Sequence, residues 1–98
     1  MENSVILDAV FLEDDFKKTV FDDCPAVVTN CRVFYGQTKK RKSVDFNIKI
    51  IVTGEEDCRR FDDYFRKGKK IRIIGNLDFF ENEIVAVANS FSITGVNK

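Results

Sequence analysis

Histidine and tryptophan are both missing from this 98-residue chain, and proline and methionine occur once each. Without histidine the commonest general base is gone. No glycine-rich phosphate loop, nucleophile-elbow serine or metal-ligand spacing takes its place. The sequence therefore points away from an enzyme: no catalytic residue, metal ligand, cofactor or small-molecule substrate is expected. Net charge is missing too, since 16 cations meet 16 anions. That balance excludes a protein that coats polyanions by bulk charge, but it leaves room for a local basic face. Cys24, Cys31 and Cys58 are odd in number and too scattered for a metal site, so they read as reduced, small buried hydrophobes. With no leader segment visible, the expected compartment is the cytoplasm. No apolar run approaches the ~18 residues that a membrane helix needs.

What is present is apolar alternation. The chain is 44% hydrophobic and holds ten phenylalanines, enough for one compact core in a single domain spanning 1–98. Residues 25–35, "PAVVTNCRVFY", put Val27, Thr29, Cys31, Val33 and Tyr35 on one side and Val28, Asn30, Arg32 and Phe34 on the other. Residues 44–53, "VDFNIKIIVT", alternate likewise, with Val44, Phe46, Ile48, Ile50 and Val52 opposite Asp45, Asn47, Lys49, Ile51 and Thr53. Together they predict a long β-hairpin whose tip, residues 36–42, carries four consecutive cations: Lys39, Lys40, Arg41 and Lys42.

The period then changes. Cys58, Phe61 and Phe65 recur at helical spacing with Tyr64 beside them, and Thr53 and Glu56 have capping-box spacing. Acids fill the first turn, Arg66 and Lys67 are expected in the last, and Gly68 stands where a left-handed cap is wanted. Period two returns over 70–79, where Gly75 suggests a bulge or a corner. Residues 80–83 read as a turn, 84–93 as a last strand and 4–12 as a first one. Residues 16–24 fit either a short extra strand or a loop with Phe16, Val20 and Phe21 tucked inward. The order β-β-β-α-β-β predicts an all-β protein with one helix, closed into a five-stranded Greek-key barrel of the OB type that leaves no sheet edge exposed.

Several strings in that order resemble the bacterial and phage single-stranded DNA-binding protein family. They are "NSVIL" (3–7), "CPAVVTNCRV" (24–33), "DFNIKIIVTGEE" (45–56) and, closest of all, "YFRKGKKIRIIGNL" (64–77). The likeness covers nearly the whole chain. It departs at Asn47 and Thr53, where the family places aromatic stackers, and at the end, "TGVNK", where the family continues into an acidic-tipped tail. A minimal or divergent member is what this combination implies. The resemblance also implies a homodimer or homotetramer, and Val5, Leu7 and Ile51 are the natural members of its interface.

Non-specific single-strand binding needs cations that follow the backbone and aromatic faces on which bases stack. The expected phosphate contacts are Lys39, Lys40, Arg41, Lys42, Arg32, Lys49 and Arg72. The expected stacking residues are Phe34 and Phe79, with Phe80 and Tyr35 as further candidates. Each feature has a plainer reading. A basic hairpin tip also serves solubility, and most of ten phenylalanines must be core. The expected partner is single-stranded DNA, bound with little sequence preference in replication, repair or recombination. The alternative is an OB-fold protein–protein adaptor with weak or no nucleic-acid binding.

Overall fold

The computed structural model describes residues 4–34 and 46–94. The elements are β1 (Ser4–Phe11), β2 (Lys17–Phe21), β3 (Cys24–Val33), β4 (Phe46–Thr53), α1 (Glu55–Tyr64), β5 (Lys70–Phe80) and β6 (Glu83–Thr94). The sheet runs β1-β5-β6-β4-β3-β2, and β1 also pairs with β3. That extra pairing closes a ring of five strands. β1 lies against β5 over Ser4–Val10 and against β3 over Ala9–Phe11. β4 and β6 run parallel, Lys49 beside Val85 through Val52 beside Ala88, while the other pairings are antiparallel. This is the OB barrel that the alternation predicts.

The segment for which the sequence leaves a strand and a loop open supplies β2. It occupies the same edge of β3 as β1 does, but at Cys24–Val28 instead of Cys31–Val33. Two-residue turns close both the β2–β3 and the β5–β6 hairpin. Asp22–Asp23 and Glu81–Asn82 each have positive φ at both positions, the twist that matches paired strands.

Two apolar clusters hold the barrel. Inside it, β1 contributes Ala9 and Phe11, β3 Val27, Cys31 and Val33, β4 Ile50 and Val52, β5 Ile71 and Ile73, and β6 Ala86, Ala88 and Phe91. The helix closes one end by setting Phe61 and Phe65 among Phe11, Phe16 and Phe91, with ring centroids 4.7–5.9 Å apart. The second cluster lies on the outer face, where Ala26, Val28, Ile51 and Val85 are covered by Phe21 and Phe80. Ile51 is thus fully buried within one chain and is not available to a subunit interface. Leu7 packs inward against the barrel core. On β1 the most exposed apolar residue is Ile6, about half exposed and opposite the similarly exposed Ile74.

The helix starts differently from the expectation. Its N-cap is Gly54, with φ 99° and no side-chain cap, because Thr53 is still held in β4 opposite Ala26. It also ends early. Phe65 is extended, its N–H donating to the Phe61 carbonyl at 2.8 Å, which turns its ring into the barrel and leaves Arg66 and Lys67 beyond the last turn. Gly68 keeps its left-handed φ of 87°, but serves the turn into β5, where its N–H donates to the Phe11 carbonyl at 3.0 Å.

The thiols follow this burial. Cys24 is exposed, Cys58 half-buried and Cys31 buried. Burial, with the Glu13 charge adding, pushes the Cys31 thiol up to about 12, and burial also raises Cys58. Since the thiolate is the nucleophile, a disulfide reagent at pH 8 should titrate one thiol quickly, Cys24, and reach Cys31 only in denaturant. Two or more fast thiols would contradict this packing.

Candidate nucleic-acid interface

Alternation along β3 turns Arg32 and Phe34 outward, because Cys31 and Val33 fill the barrel. The same rule on β5 turns Lys70 and Arg72 outward, because Ile71 and Ile73 are buried. β1 lies between the two strands and brings these pairs together. Val10 is opposite Arg32 on one side and Lys70 on the other. One pleat further, the Phe34 N–H donates to the Asp8 carbonyl at 3.0 Å, Asp8 is opposite Arg72, and Arg72 is opposite Ser92. Two rows thus run side by side across the barrel: Arg32–Val10–Lys70 and Phe34–Asp8–Arg72–Ser92.

Phe34, at the β3 end of its row, is 40% exposed. The Lys70 ammonium stands 5.5 Å from its ring centroid, within cation–π range. Arg72 meets Asp8 side-on, Nε donating to Oδ1 at 2.8 Å and Nη2 to Oδ2 at 3.0 Å. The hydrogen bond from Arg72, more than its charge, holds the Asp8 carboxyl below the usual carboxylate range, against the raising effect of burial. The result is a recess lined by Asp8, Phe34, Lys70, Ile71, Arg72 and Ser92. It offers an aromatic face, two cations from β5 and one acid from β1.

The remaining predicted residues lie elsewhere. Lys49 is outward on β4, but its ammonium is bound to Glu83 at 3.1 Å. Phe80 is half-buried against Phe21, ring centroids 5.9 Å apart, as part of the outer apolar cluster. Its neighbour Phe79 is 70% exposed and points to the opposite side, where it pairs with the exposed Ile84 beside Leu77. Phe79 lies nine residues along β5 from Lys70, roughly 30 Å at strand rise, so the two are not one pocket. Lys39, Lys40, Arg41, Lys42 and Tyr35 lie outside the described residues.

Asp8 and Ser92 have no signal in the sequence, because their roles arise only from strand order. Lys70 does have one: it is spaced two residues from Arg72, as Arg32 is from Phe34, and so shares its face. Among the described residues no group of three or more His, Cys, Asp or Glu side chains is placed to hold a metal, and no helix is long and apolar enough to cross a membrane.

No protein-family model matches the sequence, and no curated protein is similar to it. Solved structures are similar to the chain. The PriB protein of Ralstonia solanacearum superposes with a TM-score of 0.69 at 19% identity, over 94% of this chain and 98% of its own. The dimeric N-terminal domain of PriB from Thermoanaerobacter tencongensis gives 0.63 at 16%, over 96% and 98%. The Plasmodium falciparum SSB, solved in complex with ssDNA, gives 0.69 at 14%, over 99% and 96%. At these identities the likeness is one of architecture: the chain is an OB barrel of the kind on which PriB and SSB proteins are built.

Proposed function

We propose that this protein binds single-stranded DNA with little sequence preference and without chemistry, gripping it on the outer face of β3, β1 and β5. The observation that carries the reading is the exposed Phe34 ring with Lys70 over it, Arg32 two residues back on its own strand and Arg72 across β1 on β5. A base stacked on Phe34 leaves its phosphates within reach of these cations, the pairing of aromatic platform and basic track that sequence-tolerant binding requires. Lys39, Lys40, Arg41 and Lys42, close in sequence to Phe34, extend the basic supply in this reading. The ssDNA complex of the Plasmodium falciparum SSB supports it by likeness of fold. A homo-oligomer belongs to the same reading, supported by the outward pair Ile6–Ile74 and by the dimeric PriB domain of similar fold.

Titration of a labelled oligo-dT at two salt concentrations, with duplex of equal length as control, tests the proposal. Binding should favour the single strand and weaken as salt rises. Phe34→Ala should lose about 1–3 kcal/mol of affinity, the worth of one stacked base. Its melting curve should stay near that of the parent, because the ring is exposed. No binding at low salt, or collapse of the fold in Phe34→Ala, would sink the assignment.

One observation favours an adaptor instead. Leu77, Phe79 and Ile84 form an exposed apolar face on the β5–β6 hairpin, of a kind that marks protein contacts. Silence toward oligo-dT would promote that reading.

A further inference from the structure

We propose that Asp8 is an affinity-setting residue: its carboxylate occupies the phosphate-gripping edge of Arg72 and competes with the strand for it. The inference rests on the reading of the Phe34 surface as a single-strand site. Asp8 is the one acid in the two rows that otherwise present Arg32, Lys70 and Arg72 around an aromatic ring. Its position is built by the sheet. The Asp8 carbonyl accepts the Phe34 N–H at 3.0 Å, and its side chain is only 19% exposed, whereas that of Arg72 is 59% exposed. The Nε and Nη2 hydrogens that it takes, at 2.8 and 3.0 Å, form the parallel fork with which a guanidinium holds a phosphate. A strand that lays a phosphate at Arg72 must therefore displace Asp8 or do without that fork, and the displaced carboxylate then repels it. The strand is held more loosely than the cations alone allow.

The plainer role for the pair is a cross-strand staple between β1 and β5, worth little at an exposed site. The two roles separate in one experiment on the full chain, with labelled oligo-dT titrated over a range of salt. Releasing the Nε–Nη2 edge of Arg72 adds one phosphate contact, so Asp8→Asn should steepen the salt slope of log affinity by ~0.7 and tighten binding about eightfold at about 50 mM salt, shrinking to about fourfold at about 150 mM. Asp8→Ala, which leaves no amide behind, should do the same. Adding Arg72→Ala to Asp8→Asn should abolish the gain. If the parent binds and both Asp8 variants bind no tighter at an unchanged slope, the competition is refuted and the single-strand reading stands. If neither the parent nor the variants bind, both fall. Binding that appears only in the Asp8 variants would uphold the competition and overturn single-strand binding by the parent chain.

Discussion

Replacing Phe61 by alanine is expected to lower the unfolding free energy by about 3–5 kcal/mol, the range for deleting a buried aromatic. Phe61 has no exposed surface and is packed against four other rings, those of Phe11, Phe16, Phe65 and Phe91. The void cannot be filled from the same helix, because Phe61 is its only buried residue. Small domains retain about 5–15 kcal/mol in total, so the variant should sit near the edge of folding. At 4–8 °C per kcal/mol for a chain of this size, the melting midpoint should fall by roughly 12–40 °C. Urea denaturation with circular dichroism measures the difference. A loss under about 1 kcal/mol would mean that the helix does not plug the barrel.

Gly75→Ala should also be severe, for a different reason. A β-carbon at Gly75 would lie 1.9 Å from the Val87 carbonyl oxygen, 2.9 Å from its carbon and 3.0 Å from the Ala88 Cα. All three are backbone atoms of β6, so no rotamer change relieves the clash. The β5–β6 register shifts here, between Ile74 and Gly75, with Asn89 the unpaired residue on β6. The strands can accept the methyl group only by separating, which breaks pairing on both sides of the shift. The expected loss is about 3 kcal/mol, at the upper end for overpacking. Equilibrium denaturation checks it, and a stability equal to that of the parent would show that the close approach is not real. The hairpin beyond the shift carries the exposed Leu77, Phe79 and Ile84.

Gly75 shows how far reading by residue goes. A glycine inside an alternating run signals a bulge, and the bulge is there, but the extra residue sits on the partner strand. The helix shows the same limit. Its apolar spacing places Phe61 and Phe65 in the core correctly, while its ends depend on Thr53 staying in β4 and on Phe65 leaving the helix to reach the barrel. Of the stacking candidates, Phe34, Phe79 and Phe80 look alike in sequence. They separate because Phe80 meets Phe21 across the outer face, Phe79 faces the open side of its hairpin, and Phe34 meets Lys70. Ile51, on a face that its polar neighbours mark as outward, is buried because Phe21 and Phe80 fold over it.

By itself, the sequence of this protein determines the helix, the strands β1 and β3–β6, and most of the inward and outward faces of those strands. These are local properties, set by side chains alternating every two residues or recurring at helical spacing. Only the tertiary structure decides which strands become neighbours. Arg72 and Asp8 are 64 residues apart in the chain and 2.8 Å apart in space, and no local pattern encodes that meeting. It follows from closing the barrel, which sets β1 between β3 and β5 and thereby places an acid among the cations of the proposed site.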